Sequence, residues 1–78
     1  MTKEEFLRAL ESQMEVPAGS LKGDDVMRDL SIWDSMAAVL FIALADEKLG
    51  VAVSGDQIAN SRTIDDLMSL LGDRVTVG

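Results

Sequence analysis

Every residue from Met36 to Ala45 is apolar, in a chain of only 78 residues. That run is the strongest constraint on the fold. It is too short to span a bilayer, which takes about 20 residues, and no turn-forming residue interrupts it. Asp34 and Ser35 precede it as helix-start residues, and Gly50 follows it where a helix can end in a left-handed turn. The run therefore reads as the heart of a helix that starts at Asp34-Ser35 and runs to about Leu49, with Lys48 near its negative end. A helix that is apolar all round is either buried all round or exposes a sticky face. So short a chain has too few other elements to cover one helix on every side. Helical spacing gathers Ala38, Val39, Phe41, Ile42, Ala45 and Leu49 on one broad side. Met36, Ala37, Leu40 and Ala43 fall on the other side and are expected to be partly exposed.

The remaining elements have to supply the cover. Thr2 and Glu5 have the spacing of a capping box, and Phe6, Leu7, Leu10 and Met14 follow at helical spacing, with Glu4, Glu11 and Glu15 outside the stripe. Pro17, followed by Ala18-Gly19-Ser20, is expected to end this first helix. A long loop then runs from about Val16 to Asp34, and its apolar Leu21, Val26, Leu30 and Trp33 read as pins to the core. Val51 to Val53 is too short to make a sheet without a partner strand, and Ser54 to Ala59 reads as a brief helix. Thr63 caps the last helix, with Asp65 and Asp66 in its first turn; Ile64, Leu67, Met68 and Leu71 are its core stripe and Gly72 its stop. The tail from Asp73 to Gly78 is expected to fray. The pattern predicts an all-α four-helix bundle, with three longer helices, one short helix and a long loop between helices 1 and 2, forming a single domain over residues 1–78.

Composition narrows the chemistry. The chain has no cysteine and no histidine, which removes disulfides, the usual structural zinc site, the Ser-His-Asp triad and any thiol nucleophile. No metal site of its own is expected, and a self-contained enzyme is disfavoured. The net charge of −7, from 14 acids against 7 bases, speaks against nucleic acid and anionic membrane surfaces as partners. The start, Met-Thr-Lys-Glu-Glu, lacks the basic-then-apolar order of a signal peptide. A soluble, cytoplasmic, monomeric protein is the expectation.

Trp33-Asp34-Ser35-Met36 decides what such a domain does. Asp34 or Ser35 can be simply a helix cap. Alternatively, Ser35 carries a phosphate ester, which would face free amides and the positive end of the helix dipole. On these residues alone both readings stand.

The whole pattern resembles the acyl carrier protein family, whose hallmark is Asp-Ser-Leu at the start of the second helix. Here the triplet reads Asp34-Ser35-Met36, preceded by Trp33, and the setting covers nearly the whole chain: helix, long loop, motif, a helix ending Asp46-Glu47-Lys48-Leu49-Gly50, a short third helix, and Thr63-Ile64-Asp65-Asp66-Leu67 opening the fourth. The resemblance implies that Ser35 receives 4′-phosphopantetheine from coenzyme A through a separate phosphopantetheinyl transferase with magnesium. The arm's thiol would hold acyl groups as thioesters for acyl synthetase and synthase-type enzymes in fatty acid, lipid or polyketide biosynthesis. The missing cysteine fits a chain that imports its thiol. Asp34 would help orient the serine and metal during loading. The alternatives are an aminoacyl or peptidyl carrier of a nonribosomal or D-alanyl transfer system, and an unmodified helical interaction module.

The resemblance also makes the second helix the docking surface, with Met36, Ala37, Leu40, Ala43, Asp46 and Glu47 as its residues. Many carriers place acids soon after the serine. Here Ala37 and Leu40 stand at the matching positions, and no acid occurs before Asp46. Docking is therefore expected to use more apolar contact and less charge. Ala38, Ala43, Ala45 and Ala59 are either close-packing residues or the lining of a space for an acyl chain; close packing is the expectation.

Overall fold

A computed structural model describes residues 1–76. Four α-helices run in chain order: α1 (Lys3–Met14), α2 (Ser35–Leu49), α3 (Gly55–Ala59) and α4 (Ile64–Ser69), with 3-10 turns at Met27–Asp29 and Gly72–Arg74. There is no strand among the described residues. The all-α bundle is as expected, but two of the helices are long and two are short. α4 ends at Ser69 and passes through Leu70 and Leu71 into the 3-10 turn, so its core stripe is longer than its regular helix. Ile64, Leu67, Met68 and Leu71 are all buried.

Local caps set the helix starts. The Thr2 hydroxyl accepts the Glu5 N–H and the Glu5 carboxylate accepts the Thr2 N–H, closing the expected capping box on α1. Ser54 with Gln57 and Thr63 with Asp66 make the same box on α3 and α4. Gly50 ends α2 at φ 66°. The end of α1 differs from expectation. Glu15, at φ 60°, already turns left-handed, and its N–H reaches back to the Glu11 and Ser12 carbonyls, so the helix stops before Pro17 has any effect.

The core closes around Phe6 of α1 and Phe41 of α2, whose rings meet edge to face with centroids 5.7 Å apart at 78°. This contact fixes which side of α2 is inside. Ala37, Leu44 and Ala45 are buried with Phe41, being four before and three and four after it. Two expectations for α2 are therefore corrected. Ala37, expected outside, is only 2% exposed, and Val39, expected inside, is 58% exposed. A run apolar at every position carries no phase of its own, and the partner ring supplies one.

The long loop is held as firmly by its backbone as by its apolar side chains. Leu21 and Met27 are buried, and Val26, Leu30, Ile32 and Trp33 are half-buried. Beyond that, the Ile64 N–H donates to the Asp25 carbonyl (3.0 Å), the Asp65 N–H to the Gly23 carbonyl (2.8 Å) and the Met27 N–H to the Arg62 carbonyl (3.0 Å). A side chain on Gly23 would collide with the Asp65 carboxylate as it stands, so glycine leaves room for that carboxylate beside the loop. Asp65 also pairs with Lys3 of α1.

Glu11 supplies a second anchor. Expected outside the stripe of α1, it is 1% exposed. Its carboxylate accepts the Leu21 N–H at 2.7 Å and lies 2.6 Å from Arg8 Nε, while Arg8 Nη2 reaches the Leu21 carbonyl at 3.4 Å. The pair grips both backbone groups of Leu21, which is why a carboxylate can sit inside. The tail is also corrected. Through Thr76 it is tied down, since the Lys3 N–H donates to the Thr76 carbonyl (2.8 Å) and the Thr76 N–H to the Met1 carbonyl (3.1 Å). The rest of the expected fraying, at Val77 and Gly78, lies outside the described residues.

Candidate functional site

The loop delivers the chain to α2 at Asp34, whose extended backbone turns into the helix. The Asp34 carboxylate accepts the Ala37 N–H at 3.0 Å, and its carbonyl accepts the Ala38 N–H at 3.2 Å. Asp34 is thus the N-cap, and Ser35 is the first residue of α2. Both are exposed. The cap takes one amide of the first turn; the amides of Ser35 and Met36 have no helical partner of their own, as at any helix start. The Ser35 hydroxyl therefore stands in solvent at the positive end of a helix of 15 residues, where an anionic ester is favoured.

The surroundings suit a bulky group on that oxygen. No acid stands in the first turn of α2 to repel it, apart from the cap itself. Beside the helix start, an open cleft of about 190 Å³ is lined by Gln13, Met14 and Glu15 of α1, Ile32 and Asp34 of the loop, and Met36, Ala37 and Leu40 of α2. Ser35 lies just outside this lining. A flexible phosphopantetheine arm on Ser35 would meet no buried obstacle, so the residues present fit the group.

The structure brings the expected surface residues together on one helix, but not all on one face. Met36 is 62% exposed, Ala43, Asp46 and Glu47 are exposed, and Leu40 is half-buried. Ala37 faces the core and offers nothing to a partner. Val39, which the sequence reading put inside, takes its place. It lies four residues after Ser35, and that spacing was the signal available for finding it. The alanines do not share an interior. Ala45 is buried and Ala38 half-buried, whereas Ala43 and Ala59 are exposed, so the four cannot together line a space for an acyl chain. No helix of the described chain is long and apolar enough to cross a membrane.

Ser35 is thus an exposed serine heading a capped helix, behind a loop whose backbone is bonded to α4. Comparison with known families gives the class. The family model described as "phosphopantetheine attachment site" matches residues 4–71, which is nearly the whole described chain. The protein belongs to this family, the carrier domains on which 4′-phosphopantetheine is covalently attached. No curated protein and no solved structure matches the chain significantly.

Proposed function

We propose that Ser35 is the attachment residue and that the protein is an acyl carrier of the cytoplasm, serving fatty acid, lipid or polyketide biosynthesis. The observation that carries this reading is the exposed Ser35 at the first position of α2, directly after the Asp34 cap and inside the matched region. The arm supplies a thiol that holds acyl groups as thioesters. The chain contributes position. α2 and the stitched loop fix the ester oxygen at the surface, the helix start accommodates the phosphodiester charge, and Asp34 holds the first turn in shape. Tethering raises the local concentration of cargo at each partner enzyme. Those partners are the phosphopantetheinyl transferase that loads the chain and the acyl synthetases and synthases that use it.

The test is intact-protein mass measurement after incubation with coenzyme A, magnesium and a phosphopantetheinyl transferase. One arm should be added to the wild type and none to Ser35→Ala. An unmodified wild type would make the protein a helical interaction module instead. Cargo recovered on the arm from cells should be acyl; aminoacyl cargo would move the protein to a nonribosomal or D-alanyl system.

A further inference from the structure

The cleft of about 190 Å³ between the end of α1 and the start of α2 has a mixed lining. Met14, Ile32 and Leu40 are half-buried there and supply apolar surface. Gln13, Glu15 and Asp34 supply polar groups, and no lysine or arginine of the described residues lines the space. Such a cleft has carbonyl and carboxylate oxygens to accept hydrogen bonds and no cation to hold an anion. It suits a neutral ligand that combines methyl groups with hydroxyl and amide donors. The backbone at its edge is unusual as well. Glu15, at φ 60°, is the only non-glycine residue with positive φ among the described residues. A helix end in this conformation ordinarily takes glycine, and a residue with a side chain there holds strain.

The occupant follows from the neighbours of the cleft. Asp34 and Met36 both line it, and Ser35 stands between them in the chain, so this inference rests on Ser35 being the attachment residue. Counted outward from the serine, the arm carries its phosphate, a carbon with two methyls, a hydroxyl, two amides and the thiol. The cleft is smaller than the roughly 300–1,000 Å³ of a site for a drug-sized ligand, so it takes a segment of the arm and not its length. Its acids repel the phosphate, which stays at the helix start, and its acceptors match the neutral segment just beyond. We propose that the α1–α2 cleft is a resting site for that segment. Met14, Ile32 and Leu40 pack against the two methyls, and Gln13 and Glu15 accept the hydroxyl and first amide hydrogens. Tethering keeps the required strength low. A group on a short flexible linker is present at an effective concentration of millimolar order, so contacts worth a Kd of about 1 mM fill the site about half the time. The thiol and its cargo lie beyond the cleft, and occupancy is the same whatever acyl group is carried.

The experiment uses the full chain, loaded at Ser35 with an arm isotope-labelled at its two methyls and checked by intact mass. Nuclear Overhauser cross-peaks from those methyls to Met14 and Ile32 are expected in the loaded chain, and equally after acetyl or long-chain acyl loading. Between the unloaded and loaded chains the Met14 methyl resonance should shift, while Met1, Met27 and Met68, none of which lines the cleft, should not. Ser35→Asp, which puts charge at the helix start without an arm, should leave Met14 unmoved. Gln13→Ala, at an exposed position, removes one acceptor and should weaken the site about threefold or more, which takes occupancy from about half to about a quarter and halves the cross-peaks. Glu15→Gly should act in two directions, raising Tm by relieving the left-handed turn while weakening the same cross-peaks. A loaded chain without arm cross-peaks to Met14 and Ile32, cross-peaks that need long acyl cargo, a Met14 shift reproduced by Ser35→Asp, or cross-peaks untouched by both Gln13→Ala and Glu15→Gly would each overturn the proposal while leaving Ser35 as the attachment residue. A wild type that gains no mass on incubation with coenzyme A and the transferase overturns the attachment reading itself.

Discussion

α1 and α2 are the two long helices of the bundle, and they treat water in opposite ways. α1 carries acids in its first turn, buries Phe6, Leu7 and Leu10, and exposes polar side chains such as Glu4, Ser12 and Gln13. α2 has no acid in its first turn, buries Ala37, Phe41, Leu44 and Ala45, and still presents Met36 and Val39 to solvent. Both helices are capped, and both give one phenylalanine to the same ring contact. The difference lies on their outer faces. On α1 the outer face is what solubility asks of a surface helix. On α2 it is not required by the fold.

The largest expected effects should be alike for the two helices, because the shared core treats them as equals. Phe41→Ala and Phe6→Ala should each cost about 3–5 kcal/mol in urea unfolding, and the double variant should lose less than the sum. A loss at Phe41 far below that at Phe6 would break the view that this contact sets the phase of α2. Next in size is Glu11, the buried acid for which α2 has no counterpart. Glu11→Leu leaves the Leu21 N–H without its acceptor and should cost about 2 kcal/mol; the partly exposed Arg8 can turn to water, which limits the loss. Glu11→Gln, which keeps an acceptor, should recover part of it.

The caps give a smaller effect that is sensitive to pH. Thr2→Ala and Asp34→Ala should each cost about 1 kcal/mol. On α1 the Glu5 carboxyl is held below its ordinary value by the Thr2 N–H and then the Thr2 hydroxyl, and on α4 Asp66 is lowered by the Thr63 and Arg62 amides. Folding thus favours the ionised form of both. Their contribution is complete above the ordinary values of 4.5 and 3.8 and disappears as the pH falls through the lowered folded values. Thermal melts should show Tm dropping on acidification in this range, and Glu5→Gln, which has no proton to take up, should remove the part due to Glu5. The smallest effect belongs to the face that sets α2 apart. Met36→Ser and Val39→Ser should leave stability within about 0.5 kcal/mol of the wild type. A clear destabilisation would show that these side chains serve the fold after all, and the contrast between the helices would fail.

What could be read from the sequence was local. The Thr2–Glu5 box, the Gly50 stop and the Thr63 cap each depend on residues within a turn of one another, and each stands where the sequence placed it, while the α2 cap, open between Asp34 and Ser35, falls to Asp34. Ser35 stands out only through the order of elements along the whole chain, because its local residues fit a plain helix cap equally well. What escaped depends on distant partners. Glu11 is inside because an amide from Leu21 comes to it, ten residues on. Ala37 and Val39 exchanged sides because an unbroken apolar run hides its inner face until Phe6 meets Phe41. The backbone bonds between the loop and the start of α4 leave no mark on side-chain patterns, and α4 is short although its core stripe continues past it.

Those backbone bonds have a consequence for motion. A surface connector normally opens and closes on its own, at little free energy. Here the amides of Ile64, Asp65 and Met27 are shared between the loop and the start of α4, and the Leu21 amide ends on a carboxylate of α1. To open the loop is to uncouple three elements together. The stretch from Leu21 to Met27 is therefore expected to open only with the bundle's cooperative unit, which gives the segment leading to Ser35 a fixed base.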